Sequence, residues 1–321
     1  MLRMVSKLLL LIAPVCAIPL PGTAAPKLSL PPETNTILEH IYSGRADLAI
    51  PEAREMQQRN PAMPLGYLLE GEARWWKIWC SAAEFKYGMT MPRHREKLAA
   101  DQPYLELAAK AYALAEAGVR EHDSAEMRLY AGMADAQAAR LYGLRAENRA
   151  AARAGVRARE NFERALALDP TMADAYLGLG LYNYYVDTLS TMARVLRFMM
   201  GIPGGSKEEG IRQLHRAIEG GQLTPAPARF YLALDLHNYD QRYEEALKVI
   251  SPLAEQYPEN PLFQLVRGDL YAKLGRKQLA LKCYQAAAAA KVYDEECGKK
   301  VAILVKQSLA GAGVGPTLGN P

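Results

Sequence analysis

Cysteine is scarce in this chain of 321 residues. Only Cys16, Cys80, Cys283 and Cys297 are present, at wide spacing. They form no disulfide framework and no paired-cysteine zinc pattern. Aromatic residues make up 8%, and the formal net charge is only +4. A balance so near neutrality gives no reason to expect general attraction to nucleic acid or to acidic membranes. The five histidines, His40, His94, His122, His215 and His237, are scattered. None belongs to an H-E-x-x-H pair, and neither a G-x-S-x-G elbow nor a phosphate-binding glycine loop occurs. No catalytic residue, metal or cofactor is therefore expected, and the chain reads as non-enzymatic. A hydrolase would have to rely on an isolated carboxylate such as Asp235 or Asp269.

Half of the residues are hydrophobic, alanine is abundant, and glycine and proline punctuate at regular distances. Between Pro227 and Asp294 two segments match each other at an offset of 34 residues. Pro227 recurs as Pro261, Leu234 as Gly268, His237 as Tyr271, Ala246 as Ala280 and Ile250 as Tyr284. Each segment reads as two amphipathic helices around a turn. Gly268 and Ala280 are small where paired helices approach, Tyr271 and Tyr284 fill the gaps beside them, and Gly275 suits the reversal. A 34-residue helix–turn–helix unit of this pattern resembles the tetratricopeptide repeat. The resemblance implies an all-α, right-handed α-solenoid, because one pair cannot bury its apolar face alone.

Read in order, the chain supplies about six such pairs. Arg3 and Lys7, the apolar run Leu8 to Ile18 and the small residues Thr23-Ala24-Ala25 read as a signal peptide over residues 1–25. Export to the periplasm or beyond is expected. Lipid attachment at Cys16 is disfavoured by bulky Val15. Without Arg3 and Lys7 the formal charge falls to +2. The solenoid is expected over residues 26–310. Its first pair ends at Asn60-Pro61, the second starts near Pro64 and resumes at Pro103, and the third runs from about Ser124 to Leu168. The fourth joins Ala173 onward to Ser206–Glu219, and the two regular copies follow. A capping helix from Tyr293 to Leu309 and a disordered tail over 311–321 close the chain. Lys77 to Asp101 is too long for a repeat turn, and reads as an extension of the helix plus a loop around Gly88 to Pro92. Cys283 and Cys297 fall on neighbouring helices and read either as buried free thiols or as a pair.

An insertion over about 186–203 separates the helices of the fourth pair. Leu189, Met192, Leu196, Met199 and Met200 recur at three- and four-residue steps and form one helical face. That face could pack on the solenoid, dock a partner polypeptide through its methionines, or lie against lipid. From Tyr176 to Leu214 the chain is also similar to a tetratricopeptide family associated in eukaryotes with inclusion-body clearance, a likeness that implies no function in an exported protein.

In tetratricopeptide proteins the first helix of each pair usually lines the concave ligand face. The resemblance therefore implies Trp75, Trp76, Tyr184, Tyr185, Tyr231, Asp235, Asn238, Tyr239, Asp269 and Lys273 as partner-binding residues. The aromatics would supply contact area and the polar groups orientation. The lysine and asparagine clamp of chaperone-tail binders is missing, so co-chaperone activity is not expected. His237 stands where tyrosine is usual between helices and reads as packing. The reading is a protein- or peptide-binding scaffold, the alternative a peripheral envelope protein touching lipid through residues 189–200.

Overall fold

A computed structural model describes residues 28–189 and 203–312. Among them thirteen helices pack in consecutive pairs. The first pair is α1 (Thr34–Tyr42) and α2 (Ala46–Arg59), and the second is α3 (Pro64–Ala82) and α4 (Asp101–Glu121). The third and fourth are α5 (Ala125–Leu144) with α6 (Asn148–Leu168), and α7 (Ala175–Asp187) with α8 (Lys207–Gly220). The fifth joins α9 (Pro225–Asn238) to α10 (Tyr243–Gln256), the sixth α11 (Pro261–Lys273) to α12 (Lys277–Ala289), and α13 (Glu295–Gly311) follows. The six expected pairs and the terminal helix are all present.

Local chemistry sets these boundaries. Pro64, Pro225 and Pro261 stand in first turns, where a missing N–H costs nothing. Ser124, Ser206, Asn260 and Asp294 cap helix starts by accepting a backbone N–H. The acidic pairs Glu208-Glu209, Glu244-Glu245 and Glu295-Glu296 occupy first turns and favour the positive helix end. Four pairs share one turn. Gly44, Ala146, Gln241 and Gly275 each adopt a positive φ of 54–78° two residues before the second helix. The next amide then returns to a carbonyl five or six residues back. Close approach explains the small residues: a Cβ on Gly268 would lie 2.5 Å from Tyr284, and one on Gly178 only 1.9 Å from Phe162.

The insertion after α3 departs from the expected helix and loop. Its residues form a β-hairpin, β1 (Ala83–Lys86) antiparallel to β2 (Met89–Pro92), with Phe85 opposite Thr90. Tyr87 and Gly88 both have positive φ, 55° and 74°, as a two-residue hairpin turn with the right twist requires. Two isolated strands would be marginal in water. Docking holds them: Asp269 Oδ2 accepts the Thr90 N–H at 2.7 Å, and Phe85 lies against Gly311.

That docking is part of a larger departure, because the solenoid closes on itself. The α3 helix carries three buried tryptophans into the C-terminal repeats, with Trp76 stacked edge-on to Phe230 and Phe263 and Trp79 to Phe230. Truncating one such buried indole costs about 3–5 kcal/mol. Asn260 donates to the Tyr42 carbonyl at 2.8 Å, and the Arg45 guanidinium lies 3.8 Å over the Tyr293 ring. A disulfide joins Cys80 on α3 to Cys297 on α13 across 217 residues of chain. The possible Cys283–Cys297 pair is thereby corrected. Cys297, in the first turn of α13, faces α3, while Cys283 is a buried free thiol. Helix α13 is also more than a cap, since it packs against α3, α11, α12 and both strands.

Candidate functional site

Closure divides the expected partner-binding residues into two groups and leaves Lys273 apart from both. Trp75, Trp76 and Asp269 are buried within the joined ends. Tyr184, Tyr185, Tyr231, Asp235, Asn238 and Tyr239 gather where the end of α7 meets α9. Lys273 is exposed at the end of α11, beside the hairpin tip at Gly88. Of the insertion face, only Leu189 lies within the described residues; Met192, Leu196, Met199 and Met200 lie outside them.

Three tyrosines form the centre of the gathered set. The rings of Tyr184, Tyr185 and Tyr239 contact one another edge to face, with centroids 5.9–6.3 Å apart. Tyr184 is fully buried and its hydroxyl donates to the Asp235 carbonyl and to Asp240 Oδ2, both at 3.0 Å. Asp240 in turn holds Lys207, whose ammonium lies 5.6 Å over the Tyr184 ring. This anchoring leaves the other two rings at the surface, Tyr185 39% and Tyr239 53% exposed. Large amphipathic rings fixed from behind lose little entropy on contact.

Beneath them lies Asp235. Its side chain is buried, and Oδ2 has no hydrogen-bond partner. Burial pushes its pKa well up; a hydrogen bond from Tyr185 pulls the other way, and Asp240 raises it further. The Tyr185 phenol is pushed up by burial and by the Asp235 charge, so its hydroxyl end faces inward while one flank of the ring meets solvent. His237, next along α9, is buried against Tyr243, with Nδ1 2.8 Å from Asn238 Oδ1. Burial lowers its pKa.

Along the same inner face lies a polar cluster of which sequence reasoning named Trp75 and Tyr231 but missed Glu72, Tyr104 and Arg140. Tyr231 accepts from Trp75 Nε1 at 2.7 Å, Arg140 donates to Tyr104 Oη at 2.7 Å, and Arg140 pairs with Glu72 at 2.7 Å. The guanidinium also lies 4.5 Å over the Trp75 ring. Burial opposes its charge, but Glu72 and Tyr104 more than offset that and keep it protonated. At the other end, Arg93 lies 5.7 Å over the ring of Tyr87, which is 69% exposed at the hairpin tip, and its charge reaches Tyr239. Glu72 stands four residues before Trp76 on α3, a faint signal. Arg140 gives none, because its partners are on other helices. Among the described residues no group of His, Cys, Asp and Glu could hold a metal.

No model of a known family matches the chain, and no curated protein matches it. Solved structures do show similarity. One is YrrB, described as a TPR protein with an unusual peptide-binding site, at 16% identity and TM-score 0.32, covering 76% of this chain and 95% of that one. Another is yeast Tom70, at 11% identity and TM-score 0.38, covering 88% of this chain and 74% of that one. Identities and superpositions of this order carry no ligand across. What this chain shows by itself is helix pairs in series, two of which match in sequence at an offset of 34 residues.

Proposed function

We propose that this protein is a non-enzymatic scaffold of the cell envelope that binds a polypeptide partner on the face built by α7 and α9. The observation that carries the reading is the tyrosine cluster above Asp235: two large rings kept at the surface by a buried third, over an acceptor without a partner. Aromatic area with a few fixed polar groups is the usual make-up of the energetic centre of a protein interface. The Arg140–Glu72 pair extends the face with charge. Export accords with the Cys80–Cys297 disulfide, since such bonds persist in oxidising compartments.

The test is chemical crosslinking of the protein in its own compartment, followed by mass spectrometry. A Tyr185→Ala, Tyr239→Ala variant, shown by circular dichroism to remain folded, is run beside it. The expected result is one defined polypeptide that the variant loses, with an affinity for the purified partner about tenfold weaker or more. A partner held equally by the variant would overturn the assignment of this face. Binding to lipid vesicles with no polypeptide captured would replace it with the membrane reading.

A further inference from the structure

Repeats five and six superimpose in sequence at an offset of 34 residues, and this register sets Asp235 against Asp269 and Tyr239 against Lys273. In repeat six both positions are engaged by an extended strand of the chain itself. Asp269 Oδ2 accepts the backbone N–H of Thr90 in β2 at 2.7 Å, and Lys273 packs on Gly88 at the hairpin tip, where an added Cβ would lie 2.7 Å from its side chain. In repeat five the same two positions carry a buried carboxylate oxygen without a partner and an exposed tyrosine. The hairpin thus shows, within this molecule, what the inner face of such a repeat accepts.

We propose that Asp235 is the acceptor for a backbone N–H of an extended segment of the partner polypeptide, which crosses Tyr239 as the hairpin crosses Lys273. This rests on the binding face assigned above and adds to it the conformation of the ligand and the atom that meets it. The Tyr185 phenol, which now faces Asp235, swings aside to admit the segment. Asp235 is sealed from solvent in the free protein, and its Oδ2 has no hydrogen-bond partner there. A backbone donor demands no particular side chain, so selectivity falls to the residues flanking that N–H. These meet Tyr185 and Tyr239 on one side and the Arg140–Glu72 pair on the other.

The experiment uses the full chain and a displayed library of short random peptides as the probe. The best binder is synthesised and scanned by replacing each backbone amide with an ester, which removes one N–H at a time. We expect a single position whose ester weakens binding to the wild type about tenfold, the worth of one buried hydrogen bond to a carboxylate. The same ester should make less than about a twofold difference with Asp235→Ala, which has no side-chain acceptor, because the two changes remove the same contact. Tyr239→Ala should weaken all peptides alike. Peptides that depend on Tyr239 but show no ester-sensitive position coupled to Asp235 would overturn this inference and leave the binding face standing. If no peptide is selected, or if those selected ignore Tyr239, both fall.

Discussion

Repeats five and six share a length, a turn and an aspartate at the same place, yet the two aspartates live differently. Asp269 is buried with every oxygen engaged: Oδ1 accepts from Tyr284 at 3.0 Å and Ser308 at 2.9 Å, and Oδ2 from Thr90. It ties together α11, α12, α13 and the hairpin. Asp235 has Ile250 where Tyr284 would stand, no strand across it, and an orphaned oxygen. One repeat has spent its inner face on holding the molecule shut, and the other has kept it. A repeat position therefore fixes a geometry rather than a role, and the partner that arrives decides between structure and recognition.

The comparison breaks most visibly on truncation. Asp269→Ala leaves three buried donors without an acceptor, and unfolding in urea should show a loss of about 3–5 kcal/mol. Asp235→Ala removes a carboxylate with little to lose and should stay within about 1 kcal/mol of the wild type. Equal losses would dissolve the distinction. Next comes the disulfide that latches α3 to α13. Cys297→Ser should cost about 2–5 kcal/mol and make stability indifferent to reductant, since a long loop of chain is no longer closed in the unfolded state.

Titration sharpens the contrast. Burial raises Asp269 to about 6, opposed by its bonds to Thr90, Ser308 and Tyr284. Between its unfolded value near 4 and that folded value, the native state binds more protons than the unfolded one. Stability from this group is thus full below about pH 4 and is lost as pH rises through about 6, a change of about 2–3 kcal/mol. Asp269→Asn should flatten the slope between those limits, read as unfolding midpoint against pH. A wild type that gains stability across the window with an unchanged slope in the variant would contradict the assignment. The smallest effect is in the shared turn. Gln241 carries in repeat five the positive φ that Gly275 carries in repeat six. Gln241→Gly should stabilise by about 0.5–1 kcal/mol and Gly275→Gln should destabilise by about as much.

Periodicity made the helix pairs legible because small and large residues at fixed spacing report local packing: Gly268 against Tyr284, Ala280 beside them, Gly275 in the turn. The hairpin was hidden because Ala83 to Pro92 has little strand propensity, and its stability comes from Asp269 and Gly311, far away in sequence. For the same reason Cys297 could not be matched with Cys80. Pairing across 217 residues depends on ring closure, which no repeat register encodes. The tyrosines were found through helix position. Their division into a buried anchor, Tyr184, and two surface rings could not be, since it depends on Asp240 in the α9–α10 turn and on Lys207 at the start of α8. The Arg140–Glu72 cluster lay beyond reach because it is assembled from separate repeats.

The claim that repeat five is open and repeat six is filled comes down to two equivalent positions. A photo-crosslinking residue placed at Tyr239, and in a second sample at Lys273, is irradiated with the purified partner or the selected peptide. The account predicts a polypeptide adduct at position 239 and, at position 273, a bond to the chain's own hairpin. An adduct with the partner at 273, or at both positions equally, would contradict it.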